Sequence, residues 1–274
     1  MKKYCSPLLL TFIVAAAALP AWGELPTLEE NAWAGTFAGF ESRNLRFQFL
    51  TDGTAVVNPL FKDRQSYPYI RIPVQITLEE SLADGSTKLH PVLPESLETS
   101  DKATAKLKRS TVSGRFEGSA AFKLTLADKN GVVILDGSLT DPGDFKGKNV
   151  RLRIAAEILN FYGRDEKELA NDPKAFGELV SKSSLNYTTT DRKQTKLDFS
   201  QSFASGSTMV TGVREAAVEF APVGPKTFEF EATGESALRL EPRLKGPLHR
   251  GFFVIWSPGD GAGGKDAAFM ISVK

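Results

Sequence analysis

Ile70-Arg71-Ile72-Pro73-Val74-Gln75-Ile76-Thr77-Leu78 alternates without a break: every even-numbered position is apolar, and every odd one is polar or proline. Successive side chains on a strand point to opposite faces, so this period of two predicts a strand with one dry and one wet face. Such one-sided burial is typical of antiparallel sheets. Pro73 has no N–H to give to a ladder, which predicts an edge position or a bulge there. The same alternation runs through Leu45–Phe49, Val150–Ile154, Phe228–Glu231 and Leu238–Glu241. Asp52-Gly53, Asp84-Gly85, Asn130-Gly131 and Asp136-Gly137 fall between the apolar segments. These dipeptides accept positive φ, and they predict tight hairpin turns.

Two stretches depart from the pattern. From Asp165 to Lys182 the residues are helix formers, and Asp172-Pro173 supplies an N-cap followed by proline at the first helical position. Leu169, Phe176, Leu179 and Val180 then make one apolar stripe, as a helical connector closing one end of a sheet structure requires. From His90 to Lys102, Pro91, Pro94 and polar residues predict a long surface loop. The fold class expected is all-β, an antiparallel β-sandwich or a pair of β units, with a short helical connector around residues 165–182. The organisation expected is a signal peptide at 1–23, a β-rich region at 24–160, a connector at 161–183 and a second β-rich region at 184–274. A transmembrane barrel would need apolar bands on the outward positions. Those positions carry charge here.

The first residues change where this fold works. Lys2 and Lys3 precede an apolar run from Leu8 to Leu19, and Ala21-Trp22-Gly23 places small residues at the spacing a signal peptidase uses. The run is too short for a permanent span and no stop-transfer segment follows, so no transmembrane segment is expected once the signal is removed. The protein is expected to be exported, periplasmic or secreted, with Glu24 as its first mature residue. Cys5, the one cysteine, leaves with the signal, so the mature chain has no disulfide, thiolate ligand or cysteine nucleophile. The charge balance, 34 basic against 33 acidic residues, gives no pull toward nucleic acid.

Gly35-Thr36-Phe37-Ala38-Gly39 and Gly114-Arg115-Phe116-Glu117-Gly118 match at an offset of 79. Duplication of a hairpin unit and the ordinary chemistry of a glycine-bounded meander both explain that echo. Trp33, Gly35, Phe47, Phe49 and Asp52-Gly53-Thr54 resemble the first strands of lipocalin-like barrels. The order here is tryptophan, alanine, glycine rather than glycine, any residue, tryptophan. No ligand pocket is implied by that likeness.

Candidate chemistry is sparse. Gly259-Asp260-Gly261-Ala262-Gly263-Gly264-Lys265 has P-loop spacing as far as the lysine. Asp266 then stands where a hydroxyl should hold Mg²⁺, and a strand rather than a helix follows. Asp260 and Asp266 leave most of a Ca²⁺ sphere unfilled. His90 and His249, the only histidines, are too few for a zinc site and have no nucleophile elbow beside them, so both are expected on a surface or rim. No metal and no cofactor are implied. Paired carboxylates from distant strands would leave no local spacing, so a glycoside hydrolase stays open. Tyr67-Pro68-Tyr69 presents two rings near a strand start, where they could stack on a sugar face; Tyr67 and Tyr69 are the candidate ligand-binding residues. Trp256, after Phe252-Phe253-Val254-Ile255, reads as core. Asn186-Tyr187-Thr188 is an N-glycosylation sequon.

Export, a rigid β scaffold and no nucleophile or metal signature point to a non-catalytic binding module whose partner is a glycan or an envelope protein. A carboxylate-based glycoside hydrolase and a structural component of an envelope assembly are the alternatives. No catalytic residue is assigned, and the pattern sets no oligomeric state.

Overall fold

The computed structural model describes residues 25–29, 31–60, 70–159, 173–203, 209–221, 226–258 and 267–274. The expected export signal, Tyr67 and Tyr69, the part of the expected helical connector before Pro173 and the glycine-rich segment at 259–265 lie outside the described residues.

The fold is all-β. The first strands are β1 (Thr36–Glu41), β2 (Leu45–Leu50), β3 (Ala55–Pro59), β4 (Ile72–Ser81), β5 (Thr87–Pro91), β6 (Arg109–Arg115), β7 (Ala121–Lys129), β8 (Val132–Asp141) and β9 (Val150–Ile158). A helix, α1 (Pro173–Lys182), comes next. The remaining strands are β10 (Ser184–Thr189), β11 (Gln194–Asp198), β12 (Val210–Glu219), β13 (Thr227–Ala232), β14 (Leu238–Pro242), β15 (Phe252–Trp256) and β16 (Phe269–Val273).

Every strand pair is antiparallel, and one continuous path runs β1-β2-β3-β4-β9-β15-β14-β12-β13-β16-β8-β7-β6. The two ends of that path are nearly joined by the chain between β5 and β6. Glu98 exchanges backbone bonds with Ser113 of β6, and Thr104 and Leu107 bond to Phe37 and Gly39 of β1. Strands from the C-terminal part, β12 to β16, therefore lie between β9 and β8, pairing with one through β15 and with the other through β16. Closing a sheet this way leaves few raw edges to pair with other chains.

The alternation predicted at Ile70–Leu78 holds. Ile72, Val74, Ile76 and Leu78 are buried in the interior, and Pro73 falls one residue before pairing with β9 begins at Val74. No ladder partner is lost on that side. The interior is rich in phenylalanine. Phe199 contacts Phe220 and Phe252 edge-on, Phe220 continues to Phe228, and Phe230 stacks on Phe269. Edge-on and offset pairs of this kind add about 0.5–1.5 kcal/mol each beyond their burial. Trp256 is core as expected, its Nε1–H donating to Ser236 Oγ at 2.9 Å.

Asp52-Gly53, Asp84-Gly85 and Asn130-Gly131 are hairpin turns, with their glycines at φ near +80°. Asp136-Gly137 is not. It lies inside β8, because β8 and β9 face one another across the interior and a Cβ on Gly137 would meet Leu152 Cδ2 at 2.6 Å. The glycine serves a close approach, not a turn. The His90–Lys102 loop is also corrected. His90 belongs to β5, Pro94–Ser96 form a short 3-10 turn, and Val92 and Glu98 bridge to Phe116 and Ser113. The glycine echo is no repeated hairpin either: Gly35–Gly39 opens β1, whereas Gly114–Gly118 closes β6. Within α1, Phe176, Leu179 and Val180 face the core as the stripe predicts.

At β12 the sheet divides. Val210 and Val213 pair with β14, while Val213 to Glu219 pair with β10. The β10–β11 hairpin thus leaves the main path as a ribbon, and Gly212, at φ +65°, allows the irregular backbone at the fork.

Candidate functional site

The first candidate surface is the ribbon. Asn186 stands opposite Lys196 on β11 and Ala217 on β12, and Thr188 stands opposite Gln194 and Glu215. Residues directly across a ladder share a face, so these side chains line one concavity, of about 460 Å³. Tyr187, on the opposite face, packs partly against the core and holds the ribbon down. Ser184 is buried; its hydroxyl donates to Glu219 and accepts from Asn186 Nδ2 at 3.3 Å, which orients the amide. The lining is amide, hydroxyl, ammonium and carboxylate, groups that donate and accept hydrogen bonds.

The outer side of the ribbon is an edge. β11 pairs only with β10 among the described residues. Phe199 N–H and Lys193 C=O point to β10, so by the period of two Gln194 and Lys196 turn their backbone groups outward.

The second candidate lies on the outward face of β4, β9, β15 and β14. Glu79, only 2% exposed, accepts from Arg151 through one oxygen and from Arg239 through the other, with Arg153 Nε at 3.6 Å. Burial pushes the Glu79 carboxyl up, but the hydrogen bonds and charges of Arg239 and Arg151 outweigh it, and the net direction is down. Arg153 is itself 3% exposed and lies over the Phe253 ring at 5.2 Å. Burial lowers its affinity for the proton, and Glu241 and Glu79 oppose that shift. Glu241 pairs with Arg239 at 2.6 Å, and Glu157 pairs with Arg243 at 2.9 Å. Beside this cluster is a pocket of about 220 Å³ whose walls include Arg151, Arg239, Thr211 and Ser257.

A third cluster sits at the β4–β5 end. His90, expected on a surface, is 5% exposed because pairing with β4 places it opposite Leu78, and its Nε2 lies 2.9 Å from Glu80 Oε2. Lys148 reaches the other oxygen at 2.9 Å, and Phe145 meets the imidazole edge-on. Hydrogen bonds from Lys148 and then His90 hold the Glu80 carboxyl below its ordinary value. His249 is half-buried in the 3-10 turn Leu248–Arg250, with Nδ1 3.2 Å from Phe199 O.

Glu79, Glu80, Glu157 and Glu241 are thus each tied to a cation, as is Glu41 to Arg46. Among the described residues no three His, Cys, Asp or Glu side chains form a metal-holding group, and no helix is long and apolar enough to cross a membrane. The candidate rings Tyr67 and Tyr69 lie outside the described residues, so neither can be placed against these surfaces. Local spacing in the sequence does not single out the charged face. Its signal was there: Arg151 and Arg153, like Arg239 and Glu241, are charged residues two apart on strands, and each reads singly as an ordinary wet face. No family model matches the chain, and no curated protein matches it in sequence.

Proposed function

We propose that the protein is an exported, non-catalytic binding module that recognises a hydroxyl-rich ligand, a glycan, through the concavity of β10, β11 and β12. The observation that carries this reading is the lining itself: Asn186, Thr188, Gln194, Lys196 and Glu215 converge on one open hollow. Sugar hydroxyls both donate and accept, and paired amides and hydroxyls meet them with little reorganisation when the side chains are already oriented. The Ser184–Asn186 bond supplies that orientation. A carboxylate hydrolase receives less support, since each buried carboxylate named above is engaged by a cation instead of facing a cleft with a second free acid.

A second reading rests on the β11 edge. An extended segment of an envelope protein could add to it as a further strand, using the outward backbone groups of Gln194 and Lys196. Lys193, just before that strand, and Lys196 on it discourage indiscriminate pairing, so a partner there would need acidic residues.

Retention on a broad glycan array tests the first reading. The full chain is expected to be retained, and the double substitution Asn186→Ala with Gln194→Ala is expected to abolish retention with melting nearly unchanged. A second double variant, Tyr67→Ala with Tyr69→Ala, asks whether a stacking platform contributes. Loss only in the tyrosine variant moves the site away from the ribbon; no retained glycan at all moves the reading to a protein partner.

A further inference from the structure

Among the described residues, four buried side-chain atoms have no hydrogen-bond partner: Thr77 Oγ1, Arg153 Nη1, Arg239 Nε and Ser257 Oγ. All four fall on one face. Thr77 stands opposite Arg153 across β4 and β9, Arg239 stands opposite Ile255 across β14 and β15, and Ser257 follows Ile255 by two. Arg239 Nε lies 2.6 Å from Glu241 but off its own N–H direction. A buried polar group left unmet costs about 1–3 kcal/mol, so native folds scatter few of them and do not gather them without cause.

Charge gives the cause a sign. Arg151, Arg153 and Arg239 face Glu79 and Glu241, three cations against two carboxylates, while Glu157 is balanced by Arg243. One positive charge remains uncompensated in a setting where burial makes charge expensive. Water would satisfy a hydroxyl there but would not balance that charge. Arg151 and Arg239 also wall the adjoining pocket. Arg151 bonds Glu79 through Nε and Nη2, and Arg239 through Nη2, so each has an Nη1 with no bond among the described residues.

We propose that this pocket seats one small oxyanion group, a carboxylate, sulfate or phosphate, held by the free guanidinium edges of Arg151 and Arg239 with the exposed hydroxyl of Thr211. Guanidinium groups present forked, planar donors that match two oxygens of such a group. The volume of about 220 Å³ exceeds what a bare ion needs and leaves room for a larger molecule that carries the group, such as a sugar acid. This site stands apart from the reading of the ribbon concavity and does not depend on it.

Thermal unfolding of the full chain, with ionic strength matched by sodium chloride, tests the proposal. The probes are sulfate, inorganic phosphate and glucuronate, with glucose as the neutral control. Stabilisation by an oxyanion and not by glucose or added chloride is expected, because a ligand that binds only the folded state raises its stability by mass action. Strongest stabilisation by glucuronate identifies an acidic sugar as the source, and strongest stabilisation by sulfate or phosphate identifies an inorganic ion or its esters. Arg151→Gln leaves Glu79 held by Arg239 and Arg153, and it should weaken the effective probe by about tenfold. Thr211→Val, which removes only an exposed hydroxyl at nearly constant shape, should weaken it less and keeps the test valid if the arginine variant unfolds. Equal stabilisation by chloride, no stabilisation by any oxyanion, or a response unchanged in both folded variants would overturn the proposal.

Discussion

Two outward faces of one sheet treat polar side chains in opposite ways. On β4, β9, β15 and β14 the charged groups are buried against each other, and Glu79 alone engages three arginines. On the ribbon of β10, β11 and β12 the polar groups are half-exposed, as Asn186 and Thr188 are, or exposed, as Gln194, Lys196 and Glu215 are, and Asn186 and Thr188 bear no charge at all. Position in the sheet makes the difference. β9 and β15 have neighbours on both sides, so long side chains from four strands close over them; among the described residues β11 has a neighbour on one side only. The first face holds its groups by mutual compensation, and losing one strands the others. The second holds groups that each keep bonding capacity for something from outside.

The largest test of that contrast is Glu79→Gln. Breaking a buried ion cluster by removing one partner leaves uncompensated charge and costs about 3–5 kcal/mol. Glu215→Gln on the ribbon should change stability by no more than about 0.5 kcal/mol. Urea unfolding of the two variants side by side measures both, and equal costs would dissolve the distinction.

Acidity should act on the same face next. Glu79 and Glu80 both bind the proton more weakly folded than their ordinary value of 4.5, Glu79 against its arginines and Glu80 against Lys148 and His90. Their contribution is therefore fully present above the unfolded value and is lost as pH falls through the lower folded value. Stability measured across that acidic range should fall more steeply in the parent than in Glu79→Gln; parallel curves would show that Glu79 is not held down by its partners.

The smallest effect is expected at Thr77→Val. It removes an unmet hydroxyl at nearly constant shape, so stability should stay level or rise by less than about 1 kcal/mol in the absence of a bound anion. A clear loss in denaturant unfolding would mean that the hydroxyl has a partner after all.

These faces were unequally legible in the sequence. Alternation at Ile70–Leu78 told which residues point inward, because the period of a strand is local. It did not tell that Glu79 would meet Arg239, which lies 160 residues away, since that requires β14 to come within reach of β4 across β9 and β15. His90 misled for the same reason: prolines around it suggest a loop, and only pairing with β4 buries it. Gly137 carried a turn dipeptide, yet the approach of β9 on the far side of the interior fixed its role. The ribbon left a partial trace, Asn186-Tyr187-Thr188, but the residues across from it on β11 and β12 followed from register and not from spacing.

Backbone amide mapping by NMR, with the glycan that the array retains, tests most directly whether the ribbon is the binding surface. Shift changes clustered at Asn186, Thr188, Gln194, Lys196 and Glu215, with Thr77, Glu79 and Arg153 unmoved by a neutral glycan, are the predicted result. Changes that leave the ribbon untouched and gather on another part of the sheet would contradict it.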